Sequence, residues 1–211
     1  MKIVSPSFEI LTPLDDGAGM KFLTAIEKAG RTCYKSEERM TNESCLTFCK
    51  GLIKAGHEAM VEHAPSLSVK FICNRGVTHE LVRHRLSSFA QESTRYCNYS
   101  KEKHGSGITV IEPHDFEEWS ADSQAQWKLS VKEASINYLR LIATGLTAQR
   151  ARGVLPIDVK TEIIVSANVR QWRTILKLRT AEAAHPDIRY LMRGLLRKLK
   201  IKIPILFDDI I

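Results

Sequence analysis

The chain has 211 residues, enough to bury a core without disulfides or a structural metal, and its composition is that of an ordinary globular protein. Thirty-one Lys and Arg against 24 Asp and Glu give a formal charge of +7, which favours phosphates, nucleic acid or anionic lipid without choosing among them. The five cysteines, Cys33, Cys45, Cys49, Cys73 and Cys97, contain no Cys-x-x-Cys pair and do not resemble a secreted disulfide framework. The N-terminal residues lack an apolar signal core and no apolar run is long enough to span a bilayer, so a cytoplasmic protein with reduced thiols is expected.

In chain order, residues 2–12 read as a strand containing Pro6. A helix is expected from about Gly19 to Gly30, and another from about Asn42 to Ala55. The second carries Cys45, Phe48, Cys49, Leu52 and Ile53 on one face, so its cysteines read as core thiols, with Gly56 placed to stop it. Residues 66–73 alternate, with Leu67, Val69, Phe71 and Cys73 inward, as a half-buried strand does. Asn74 is a candidate cap for a helix running toward Arg83-His84-Arg85. Residues 86–107, rich in Ser, Thr, Gln, Asn and Gly, read as a long polar loop of the kind that binds ligands.

A short strand is expected at 108–111, a long helix from Ala121 to Ala143 ending at Gly145, and a shorter helix from Thr147 to Val154. Residues 158–167 alternate as a strand. Asn168 then caps a helix bearing Trp172, Ile175 and Leu176. The last helix begins at Pro186, with Ile188, Leu191, Met192, Leu195, Leu196 and Leu199 on its apolar face and Arg189, Arg193, Arg197 and Lys198 on the other. Helices dominate and the strands follow no regular βαβ alternation. The fold class expected is α+β, helices on a small, mostly antiparallel sheet, as a single domain over 1–211.

Arg83, His84 and Arg85, followed by Ser87, Ser88, Gln91, Glu92, Ser93, Thr94 and Arg95, suit a phosphate, because the guanidinium fork matches its oxygens. Cations at a helix end also offset the C-terminal dipole, and residue chemistry alone weighs these readings evenly. No Gly-rich phosphate loop, His-Glu-x-x-His helix or Gly-x-Ser-x-Gly elbow competes. His57 and His63 are six apart, off a common helix face, and no metal is assigned.

Residues 83–96, Arg-His-Arg-Leu-Ser-Ser-Phe-Ala-Gln-Glu-Ser-Thr-Arg-Tyr, resemble the signature of the flavin-dependent thymidylate synthases, Arg-His-Arg-x-x-Ser followed after four residues by Ser-x-Arg-Tyr. Seven positions match within fourteen residues. Support comes from Gly56-His57-Glu58, Glu62-His63, Ala151 to Pro156, Asn168-Val169-Arg170 and Leu178-Arg179, over roughly residues 20–200.

The resemblance implies that FAD is reduced by NADPH, and that reduced flavin and methylenetetrahydrofolate convert dUMP to dTMP, in a homotetramer with shared sites. It implies flavin contacts from His57, Glu62, Arg83, His84, Arg85, Gln91, Asn168 and Arg170. It implies dUMP contacts from Glu80, Arg83, Gln91, Glu92, Ser93, Thr94, Arg95 and Arg152, with Arg179 at the pyrimidine favouring loss of its N3 proton. A fixed cation beside a developing anion stabilises it most where water is excluded. Four positions depart from the family pattern. Ala90-Gln91 stands where Asn-Glu is commoner, Ala59 replaces a hydroxyl and Glu80 stands where Gln is frequent. Two other classes compete: a basic nucleic-acid-binding protein, with steep salt dependence and no flavin, and a catalytically silent nucleotide-binding relative.

Overall fold

The computed structural model describes residues 1–101 and 107–211; the part of the expected 86–107 loop at residues 102–106 lies outside the described residues. The class is α+β, helices with a small antiparallel sheet, as expected. The expected first strand is two strands, β1 (Lys2–Val4) and β2 (Ser7–Ile10). Pro6 between them has no N–H to give a ladder. The halves take different partners: β1 pairs in parallel with β5 (Thr109–Ile111), while β2 is the first strand of a four-stranded sheet of order β2-β3-β6-β4. In that sheet β3 is Leu67–Asn74, β4 is Ser88–Gln91 and β6 is Lys160–Ala167.

Strand β4 corrects the reading of 86–107 as loop. Its four residues sit at one end of the strand order and alternate between exposed and half-buried, so they carry no apolar signature. Its order is imposed by the strand it pairs with, which is non-local information.

The helices are α1 (Ala18–Thr32), α2 (Ser44–Lys54), α3 (Arg75–Leu81), α4 (Ala121–Ala143), α5 (Ala148–Ala151), α6 (Val169–Arg179) and α7 (Pro186–Lys202). Both expected asparagine caps form: Asn74 Oδ1 accepts from Val77 N at 2.9 Å, and Asn168 Oδ1 accepts from Gln171 N at 2.8 Å. Gly56, at φ 72°, follows α2 in the left-handed region where a Cβ would be strained. Helix α3 is shorter than expected, so the Arg-His-Arg triplet lies beyond its end. The predicted 147–154 helix is α5 followed by a 3-10 turn over Arg152–Val154.

The described chain forms two compact units. The first is Met1–Ser7, Phe71–Arg83 and Ala90–Ile164; the second is Phe8–Lys70, His84–Phe89 and Val165–Ile211. The first is centred on Tyr99, Ile108, Val110, Val131, Tyr138 and Val159, with Trp127 and Cys97 packed against them. Tyr138 Oη accepts from Tyr99 N at 3.2 Å, and Trp127 Nε1 donates to Asp158 at 2.9 Å, so the aromatic polar atoms inside this core are bonded.

In the second unit, α1 packs on α2 and α6 on α7. Gly30 permits the first approach, since a Cβ there would sit 2.6 Å from the Phe48 ring. Cys45 and Cys49 are buried as core thiols, and burial, with Cys45 and Glu27 alongside, pushes the Cys49 thiol up to about 12. Trp172 is fully buried and its Nε1 donates to Leu67 O at 3.0 Å. The apolar face of α7 is buried as expected; on its other side Arg189 and Arg193 bond Glu182 at 2.7 and 2.6 Å. Among the described residues, no helix is long and apolar enough to cross a membrane.

Candidate functional site

In the first unit, α3 and the segment after β4 surround a cavity of about 280 Å³ lined by Arg75, His79, Thr94, Arg152, Leu155 and Pro156, among others. Asn74 starts α3 and so fixes Arg75 at its first residue. Arg75 Nη2 donates to the Glu92 carbonyl at 2.9 Å, while its Nε is buried with no hydrogen-bond partner among the described residues. A guanidinium fork on a cavity wall suits an anionic ligand oxygen. Arg152 Nη1 donates to Thr94 Oγ1 at 3.2 Å. The cavity therefore has two arginines and a hydroxyl on its wall.

The loop residues Gln91 to Arg95 are all positioned by bonds within this unit. Gln91 Nε2 donates to Thr78 Oγ1 at 3.0 Å and Thr161 Oγ1 at 3.3 Å, so the departure from the family's glutamate is accommodated by an amide donor between two hydroxyls. Arg95 N donates to Ser93 Oγ at 3.3 Å, and Arg95 Nε donates to Gln149 Oε1 at 2.9 Å. The Arg95 guanidinium also lies 5.6 Å from the centroid of the exposed Tyr96 ring. Glu92 differs from its neighbours: its carboxylate accepts from Tyr99 Oη at 2.8 Å and from Lys160 Nζ at 3.1 Å. Glu80 is half-buried in the last turn of α3, and Arg83 is exposed beyond it.

In the second unit, the expected flavin-side residues meet around α6. Arg170 Nη1 bonds Glu62 Oε1 at 2.5 Å, and both side chains are nearly half exposed. Glu62 lies on a 3-10 helix, Glu58–His63, and His57 is exposed at its start. Asn168 uses its Oδ1 for the α6 cap, which leaves its Nδ2 amide as the group that can face a ligand. Beneath this surface, Arg173 Nη2 donates to Glu58 Oε1 at 2.9 Å and Lys177 Nζ donates to the same oxygen at 2.9 Å. Burial pushes the Glu58 carboxyl up, but the bonds from Lys177 and Arg173 outweigh it and hold it below its ordinary 4.5.

Arg179, in the last turn of α6, donates from Nε to His84 Nε2 at 3.0 Å. His84 is buried and accepts through that nitrogen, so it is neutral with its proton on Nδ1. Burial first, and the Arg179 charge second, hold its pKa below the ordinary 6.5. Arg85, next in the triplet, is exposed.

Sequence reasoning missed Arg75 on the cavity wall and four residues that hold others in place. Tyr99 and Lys160 hold Glu92, and Arg173 holds Glu58; Asp209 holds Arg173 in turn, at 2.7 and 2.8 Å. Arg173 had a local signal, a cation on the same helix side as Trp172 and Leu176 within a predicted amphipathic segment. Tyr99 and Lys160 had none.

The fold of the chain is one already seen in a solved protein. It matches a UMP/dUMP methylase, PolB from Streptomyces cacaoi, solved with 5-Br dUMP, at a TM-score of 0.76 and 22% identity, over 99% of this chain and 96% of that one. The profile of the Thy1 family, thymidylate synthase complementing protein, matches residues 20–205. A flavin-dependent thymidylate synthase from Corynebacterium glutamicum is 30% identical over 195 residues, covering 87% of this chain and 78% of its own length. Another from Mycobacterium tuberculosis is 30% identical over 227 residues, covering 98% and 85%. The chain belongs to the Thy1 family of flavin-dependent thymidylate synthases.

Proposed function

We propose that the chain converts dUMP to dTMP by reductive methylation, with methylenetetrahydrofolate as carbon donor and FAD, reduced by NADPH, as the bound cofactor. Family membership supports the reaction class. The observation that carries the substrate reading is the cavity whose wall brings together Arg75, Arg152 and the Thr94 hydroxyl. Gln91, Ser93, Thr94, Arg95 and Arg152 hold the nucleotide, its phosphate neutralised by the arginines. Each charge-assisted bond contributes about 1.5–3 kcal/mol.

The residues fit a flavin as well. Arg170 is exposed enough to exchange its Glu62 partner for an anionic group, and Asn168 retains an amide donor. His57, Glu62, Asn168 and Arg170, with Arg83, His84 and Arg85, would hold FAD, which supplies the hydride chemistry when bound. Arg179 stabilises the pyrimidine as N3 loses its proton, and the neutral His84, accepting from Nε, keeps the Arg179 guanidinium oriented. The active form is a homotetramer and the protein works in the cytoplasm.

The test is the visible spectrum of purified protein with FAD and NADPH, without oxygen, before and after dUMP. The expected result is a yellow protein bleached by NADPH, with the rate of bleaching or reoxidation altered by dUMP. A colourless protein that neither retains FAD nor responds to dUMP would contradict the reading.

A further inference from the structure

Glu92 sits in the middle of the loop assigned above to the nucleotide, yet each of its polar groups is held by the protein. Its N–H donates to Glu162 O at 2.9 Å, and its carbonyl accepts from Arg75 Nη2 at 2.9 Å. One carboxylate oxygen accepts from Tyr99 Oη at 2.8 Å, the other from Lys160 Nζ at 3.1 Å. Lys160 is fixed from its far side by Glu162 at 2.6 Å. Tyr99 is itself buried at 5% exposure, with its backbone N–H bonded to Tyr138 Oη.

We infer that Glu92 is not a nucleotide ligand through its side chain but the anchor of the nucleotide loop, and that Tyr99 and Lys160 are positioning residues for dUMP binding. The inference rests on the proposal that this loop binds dUMP. Charge supports it: a carboxylate facing a phosphate would oppose binding, whereas one turned to Lys160 and Tyr99 spares the phosphate that repulsion. Position supports it too. Anchoring residue 92 by all four bonds fixes the backbone immediately before Ser93 and Thr94, and Thr94 is buried against Arg152 on the cavity wall. A loop already held in its binding form loses less conformational freedom when the ligand arrives.

The experiment titrates dUMP into the flavin-loaded wild type and into Tyr99→Phe, Lys160→Met, the double variant and Lys160→Arg, by calorimetry. Flavin affinity, KM and kcat are measured on the same samples. Tyr99→Phe and Lys160→Met should each weaken dUMP by about tenfold. The double variant should lose less than the product of the two, because both act through Glu92. KM for dUMP should rise with kcat little changed, flavin affinity should stay within twofold, and Lys160→Arg should restore most of the loss. If the variants bind dUMP within twofold of a wild type that does bind it, the inference is overturned while the functional reading stands. If dUMP and flavin affinities fall together in both single variants, these residues are structural and the inference is again overturned. A flavin-loaded wild type that does not bind dUMP overturns the reading of the loop and the inference with it.

Discussion

Each unit contains a cation held between two carboxylates, and the two arrangements are built differently. In the first unit Lys160, with a side chain 22% exposed, lies between Glu92 and Glu162. In the second Arg173, 1% exposed, lies between Glu58 and Asp209, and also donates to the Leu206 carbonyl. A lysine is a compact point charge on a flexible stem, suited to a partly wet site at the base of a loop. An arginine presents a planar fork, and Asp209 takes it with both oxygens at 2.7 and 2.8 Å. The Arg173 cluster ties the 3-10 helix of Glu58 and the segment around Leu206, Phe207 and Ile210 to α6, and those three apolar side chains are buried. On the inference above one cluster serves loop position and ligand binding, and the other the stability of the fold. Helix α6 carries both kinds of contact: Arg173 is held by Glu58 and Asp209, while Arg179, near the end of the helix, donates to the buried His84.

The largest effect that would break this contrast belongs to Arg173. Arg173→Met should lower unfolding free energy by about 3–5 kcal/mol, because it leaves two acids without their buried partner. Urea denaturation checks this, and a loss no larger than that of Lys160→Met would erase the distinction. Arg179→Ala should retain flavin and fold normally but lose about a hundredfold or more in kcat, the scale of removing one fixed donor from a developing anion. Single-turnover dTMP formation reads it. Arg152→Ala should weaken dUMP by about tenfold, with an unchanged melting temperature.

Two pH dependences follow from the signs of the shifts. Glu58 and Asp209 are both held below their ordinary 4.5 and 3.8; for Asp209, burial pushes up but the Arg173 bonds, then the Arg173 and Lys177 charges, prevail. Their stabilisation is complete above those ordinary values and is lost as pH falls through the lowered ones. Acid unfolding of wild type should be steeper there than that of Asp209→Asn. The His84 pKa is also lowered, so its bond from Arg179 is present above 6.5 and is lost as pH falls through the lowered value, when Nε2 takes a proton. The acid limb of kcat should therefore lie below pH 6.5 and be reshaped in His84→Gln. The smallest effect is expected at Glu182, whose partners Arg189 and Arg193 hold it at the surface; Glu182→Ala should leave the thermal midpoint unmoved.

Local signals in the sequence were followed closely by the fold. The stripe on α7, the alternation of β3 and β6, and the caps Asn74 and Asn168 depend on residues a few positions apart, and each forms as read. Strand β4 was not legible, because its ordering comes from a sheet partner about seventy residues away. The split of the first strand was available at Pro6 but needed knowledge that its halves take different partners. The motif singled out the Gln91–Arg95 loop and Arg152, and the structure brings Thr94 and Arg152 together. It gave no access to Tyr99 and Lys160, which reach Glu92 across 7 and 68 positions of sequence, or to Asp209, 36 positions from Arg173. Buried polar partners are chosen by tertiary placement, and periodicity carries no record of it.

The most direct measurement is dTMP formation from dUMP by wild-type protein supplied with FAD, NADPH and methylenetetrahydrofolate, with each component omitted in turn. The account predicts product only when all are present, and loss of product in Arg179→Ala despite retained flavin. Product without flavin, or none from a wild type that binds both flavin and dUMP, would contradict it.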